Sequence, residues 1–171
     1  MRSVHKLGQL TAGQVLVAGG RINPEQLQEL VQEQQGSGER VTDIAIERGM
    51  LTEFDIAKAM VRHLQLPFVN PASYDIADDT FQMVPPDLLR EHRIVPLDVF
   101  GSVLSIATCG DLSSGAIKQV EMHSSCRVAL FISLQSEIDR VIEDRCPAPV
   151  LGSNSSMGEE VASRLDQLFG A

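Results

Sequence analysis

Gly13-Gln14-Val15-Leu16-Val17-Ala18-Gly19-Gly20-Arg21-Ile22-Asn23-Pro24-Glu25-Gln26-Leu27 and Thr42-Asp43-Ile44-Ala45-Ile46-Glu47-Arg48-Gly49-Met50-Leu51-Thr52-Glu53-Phe54-Asp55-Ile56 are one pattern written twice. A constant offset of 29 residues carries Gly20 onto Gly49, Ile22 onto Leu51 and Leu27 onto Ile56. A fixed period with matched chemistry at each register point denotes one supersecondary unit built twice. In each copy a short apolar helix runs into Gly20 or Gly49, which can take positive φ, stop the helix and reverse the chain. The next helix starts at a capping residue, Asn23 or Thr52, with Pro24 at the first helical position of the first copy. Gln26 and Asp55 fall in capping-box position, and the pairs Ile22/Leu27 and Leu51/Ile56 have the spacing of hydrophobic staples. Leu30, Val31, Ala59 and Met60 continue the apolar stripes, so four helices are predicted across roughly residues 12–65.

The totals narrow the classes of function. With 171 residues, 43% of them hydrophobic, the chain can build one sizeable core or two small ones. A formal charge of −9 opposes nonspecific binding to nucleic acid or anionic membrane, and one Tyr with no Trp makes stacking platforms for bases scarce. No apolar run approaches the roughly eighteen residues of a membrane span. The basic start Met1-Arg2-Ser3-Val4-His5-Lys6 leads into no apolar signal core, and three cysteines without a C-x-x-C pair suit reduced thiols; both point to the cytoplasm.

Beyond the repeat the period changes. Leu66-Pro67-Phe68-Val69 reads as extended, Phe81 and Val84 face inward from a short helical stretch, and Pro85-Pro86-Asp87 restarts a helix through about His92. Ile94-Val95-Pro96-Leu97 and Val103-Leu104-Ser105-Ile106-Ala107 flank a loop at Gly101 and read as a hairpin, with Pro96 favouring an edge. A helix over 113–123 with Ile117, Val120 and Met122 inward, a buried strand over 127–132, and a helix capped by Ser136 complete this half. The fold class is therefore α+β: a four-helix tandem helix-turn-helix unit, then a small antiparallel or mixed sheet of three or four strands with helices on one face. The divisions are residues 1–66, 67–146 and 147–171. The last is a Pro/Ser/Gly-rich linker, then Ser156 and Glu159 at capping-box spacing and an apolar stripe of Val161, Leu165, Leu168 and Phe169.

Leu16-Val17-x-x-Gly20-x-Ile22, Ile46-x-x-Gly49-x-Leu51, Leu64-Gln65-Leu66-Pro67-Phe68-Val69, Pro85-Pro86-Asp87-Leu88-Leu89-Arg90 and the Ile94–Leu97/Val103–Ala107 hairpin, in that order, resemble the N-terminal (MshEN-like) domain of type II secretion and type IV pilus assembly ATPases. The resemblance covers roughly residues 8–145. It implies a regulatory and docking module ahead of a motor, some members of the family binding cyclic di-GMP across the repeat and others docking on the cytoplasmic part of an inner-membrane partner. No G-x-x-x-x-G-K-[ST] phosphate loop occurs in this sequence, so the expectation is a non-catalytic module.

For a nucleotide-binding member the resemblance implies an Arg-Leu-Gly-like triplet opening each repeat and a glutamine closing it. The second copy has Arg40-Val41-Thr42 and closes on His63; the first has Thr11-Ala12-Gly13 and closes on Gln34. A ligand set of Arg40, Gly13, Gly20, Gly49 and Gln34 follows, split between the copies. Guanidinium groups serve phosphates and guanine edges, and glycine permits close backbone approach. No catalytic residue is assigned: Cys109 with His92 or His123 could form a nucleophile and base, but a buried cysteine is more simply core. His5, His63, His92 and His123 lack the spacing of a zinc site. The expected partner is a membrane-platform or motor protein of a secretion or pilus machine, reached at the inner-membrane face, with no nucleic acid and no direct membrane insertion. Cyclic di-GMP is the one small ligand considered.

Overall fold

The computed structural model describes residues 11–110 and 112–147. Helices α1 (Ala12–Ala18), α2 (Pro24–Ser37), α3 (Val41–Glu47) and α4 (Glu53–Leu64) form the repeat. The expected capping boxes are present: Asn23 and Gln26 exchange side-chain and backbone bonds, as do Thr52 and Asp55. A further box, Thr11 with Gln14, opens α1 and was not read from the sequence. The turns match bond for bond at the 29-residue offset. Gly20 N–H donates to Val17 O and Arg21 N–H to Leu16 O; Gly49 N–H donates to Ile46 O and Met50 N–H to Ala45 O. Both glycines sit in the left-handed region, at φ 64° and 65°, where a side chain would be strained. Gly36 and Ser37 are the end of α2, with Gly38 as its left-handed cap.

A short 3₁₀ turn at Pro71–Ser73 leads to α5 (Asp78–Phe81) and α6 (Pro86–His92). Strands β1 (Ile94–Phe100), β2 (Val103–Thr108) and β3 (Arg127–Ile132) follow, with α7 (Ser114–Ser124) before β3 and α8 (Gln135–Arg145) after it. The sheet order is β1-β2-β3; β1 and β2 are antiparallel, β2 and β3 parallel across the α7 crossover. Pro96 lies on edge strand β1, beside a register shift between Pro96 and Asp98. The extended Leu66–Val69 segment adds a short pairing outside β3: Val69 N–H donates to Ile132 O, and Ile132 N–H to Pro67 O. Ile94 through Leu97 are all buried, so this end of the sheet is covered on both sides, whereas Asp98 and Phe100 emerge into solvent.

One cluster of buried apolar residues runs from Ala12 to Ile142 and crosses the boundary read near residue 66. Two sequence readings are corrected. Met122 is exposed: Ile117 and Val120 take the inward face of α7, and Met122 falls off it. Ser136 does not cap α8; Leu134 occupies the cap with no side-chain bond, and Ser136 lies inside the first turn. Of the linker and amphipathic stretch expected over 147–171, all but Pro147 lies outside the described residues, as do His5 and Lys6. Among those described, no helix is long and apolar enough to cross a membrane.

Candidate functional site at the seam between repeat and sheet

Arg40 precedes α3 and offers it no side-chain cap. Its guanidinium instead crosses to the second half, donating to the Glu91 carbonyl and lying 3.9 Å from Cys109 Sγ. Glu91 is in the last turn of α6, where unsatisfied carbonyls attract a cation. The residue expected to hold a phosphate or guanine edge therefore clamps the repeat to the sheet half.

Gly13 faces a different neighbour. A Cβ built on it would lie 2.3 Å from Leu27 Cδ1, so the missing side chain lets α2 close down on α1. Gly20 and Gly49 occupy the two matched turns, and Gln34 is half-buried on α2, where its carbonyl accepts from Gly38 N–H. Arg40 is directed into the seam and Gly13 into the first repeat's own packing, so their contacts do not converge.

Two more clips, not read from the sequence, hold the same seam. Arg93, which follows α6, places Nη1 2.8 Å from both carboxylate oxygens of Asp43 in the first turn of α3. Its Nε lies 3.6 Å from Asp139 on α8, so one side chain ties three elements. Arg93 has φ 47°, a backbone region that costs a non-glycine residue roughly 1 kcal/mol or more and that the ion pairs offset. Burial opposes its charge, but Asp43 and Asp139 outweigh burial and hold its pKa above the usual value. Asp139 is pushed up from the usual carboxylate range, first by burial, against the pull of Arg93. The other clip is Glu53 at the start of α4. Its carboxylate accepts from Ser136 N–H at 2.9 Å and from Ser136 Oγ–H at 2.8 Å, supplying from the repeat the cap that α8 lacks.

Between these clips lies a crevice lined by Thr42, Glu53, Ile56, Cys109, Ser133 and Gln135 among others, with a cavity volume of about 10 Å³. That is room for one water at most. Cys109 is 8% exposed and faces this tight seam, not a substrate-sized pocket. Two further arginines of the repeat are paired, Arg21 with Asp55 at 3.3 Å and Arg48 with Glu29 and Glu33 on α2, whereas Arg62 on α4 is exposed. No local sequence signal announces Arg93 or Glu53, because each acts on a partner tens of residues away.

Comparison with known proteins places this architecture. The type IV pilus assembly ATPase PilB of Myxococcus xanthus is 24% identical over 140 residues, 80% of this chain and 25% of that protein. PilB of Thermus thermophilus is 29% identical over 121 residues, 70% of this chain and 14% of that protein. The chain thus spans a quarter or less of the length of these relatives. Among solved structures, MshE with cdg matches at a TM-score of 0.63 and 20% identity, over 80% of this chain and 99% of that one. The N-terminal domain of XpsE matches at 0.61 and 22% identity, over 84% and 96%. Both likenesses establish the fold, α+β with a three-stranded mixed sheet. Residues 64–149, half of the chain, match the MshEN domain, and the chain belongs to the MshEN domain family.

Proposed function

We propose that this chain is a non-catalytic docking and regulatory module for a type IV pilus or type II secretion motor. The observation that carries the reading is the commitment of Arg40. Its guanidinium is on Glu91 O and beside Cys109, so the arginine that opens the second copy is engaged within the fold. The repeat and the sheet are joined by Arg40, Arg93 and Glu53 into a block suited to transmitting position between a platform and a motor. The similarity to type IV pilus assembly ATPases supports the setting. Its partner is a protein component of such a machine at the inner-membrane face.

The test is titration of the full chain against purified cytoplasmic segments of the platform proteins and against the motor ATPase of the same organism. A one-to-one complex with one of them, in the micromolar range or tighter, supports the reading; no complex with any of them overturns it.

A second reading, a cyclic di-GMP sensor using Arg40, Gly13, Gly20, Gly49 and Gln34, is favoured by one observation: the matched structure of MshE is with cdg. Equilibrium dialysis tests it. Saturable uptake at micromolar cyclic di-GMP supports a sensor, and no uptake removes it.

A further inference from the structure

The two faces of the sheet are not covered alike. Leu104, Ile106 and Thr108 of β2 and Val128, Leu130 and Ile132 of β3 are buried on the face that carries the core. The alternate residues make the other face. The register sets them in rows: Phe100, Val103 and Arg127, then Asp98, Ser105 and Ala129, then Val95, Ala107 and Phe131. Val95 and Ala107 are buried, so the third row lies under the rest of the fold. The first two rows do not. Phe100 is 86% exposed, Asp98 and Arg127 are exposed, and Val103, Ser105 and Ala129 are half-buried. The register shift between Pro96 and Asp98 turns Asp98 and Phe100 onto this face; unbroken alternation would present Val99 here instead.

Charge stands at the two edges of the open rows with opposite sign, Asp98 on β1 and Arg127 on β3. Asp98 accepts from its neighbour Val99 N–H, and among the described residues neither Asp98 nor Arg127 makes an ion pair. Such a face is complementary to itself. A two-fold axis parallel to the strands brings β1 of one copy over β3 of another. Phe100 then lies opposite Arg127 of the second copy, with Asp98 one row away, and every contact occurs twice. Sheets pack about 10 Å apart, a gap in which a guanidinium can cover the ring and reach the carboxylate. A partner of uniform charge would match only one edge.

We infer that the open half of this sheet face is an interface between two copies of the chain, aligned by reciprocal Asp98–Arg127 pairs and filled by Phe100 and Val103. The patch is two rows deep across three strands, which puts it among the small, weak interfaces, and a charge of −9 on each copy adds repulsion at long range. A paired module presents two copies of the repeat in one fixed orientation, whatever the repeat itself binds.

Sedimentation equilibrium of the full chain from about 5 to about 500 µM tests this, across the range in which small interfaces associate. The mass of the wild type should rise towards that of a dimer. Phe100→Asp, which lies outside the core, should weaken association by about tenfold or more. Asp98→Lys and Arg127→Glu should each weaken it as well, because each sets like charges against one another. Mixed one to one, these two variants should pair with each other, since both contacts then join opposite charges; loss of folding in either variant would not be repaired by mixing. A wild type that stays monomeric throughout, association unchanged by Phe100→Asp, or a mixture that stays monomeric would each overturn the proposal.

Discussion

In the first repeat Leu27 rests on Gly13 and remains half-buried, near the outer side of the molecule. At the same positions of the second repeat, Ile56 is 5% exposed and lines the seam with Thr42, against Cys109 and Ser133 from the sheet half. The turns are the same and the surroundings are not. Arg40, Asp43 and Glu53, which make the three clips, all belong to the second copy; at the offset their counterparts are Thr11, Gln14 and Pro24. Thr11 and Gln14 close a local capping box instead. The two copies thus differ at their first helix: α1 is capped by its own box, and α3 is fastened to the sheet half.

The largest expected effect comes from the paired truncations. Ile56→Ala should cost about 2–4 kcal/mol, within the range for fully buried aliphatics, and Leu27→Ala about half as much. Denaturant unfolding measures both, and equal costs would erase the distinction between the copies. Next, Arg93→Met leaves Asp43 partly buried without its partner and should cost about 2–3 kcal/mol. In an Asp43→Asn background the same substitution should cost clearly less, because the pair has already been broken.

Why the repeat was legible and the seam was not follows from the range of the forces. Capping boxes, turn glycines and staples act within a few residues, so Asn23, Gln26, Thr52, Asp55, Gly20 and Gly49 carry their roles in the local sequence. The sheet half was legible as a hairpin and strands, but not in its parallel β2–β3 pairing, which depends on where α7 returns the chain. Ser136 looked like a cap by residue type; the actual cap comes from Glu53, 83 residues earlier. The resemblance puts Arg40 at a motif position and implies a ligand role for it. Its engagement with Glu91 O depends on tertiary placement, which no spacing encodes.

Glu53→Ala should cost about 1 kcal/mol, the usual loss of a helix cap, and should raise amide exchange in the first turn of α8. Unchanged exchange there would mean that Glu53 does not cap that helix. The smallest effect separates the two capping boxes by pH. Asp55 is held below the usual carboxylate range, first by the Thr52 hydroxyl and then by the Thr52 backbone amide, with help from the Arg21 charge. A lowered folded pKa contributes stability above the ordinary aspartate value, lost as pH falls through the folded one. Gln26, its counterpart in the first copy, does not titrate. Asp55→Asn should therefore flatten the acid side of the stability profile, whereas Gln26→Ala shifts the whole profile without changing its shape.

Arg40 acts as a structural clip of the second repeat, and thermal unfolding of wild type and Arg40→Ala with and without cyclic di-GMP tests that role. Loss of a charged hydrogen bond at a helix end should lower the melting temperature of Arg40→Ala by several degrees, about 1–2 kcal/mol. Cyclic di-GMP should then shift neither protein. An unchanged melting temperature in Arg40→Ala, together with a ligand-induced rise in the wild type that the substitution abolishes, would make Arg40 a ligand residue and not a clip.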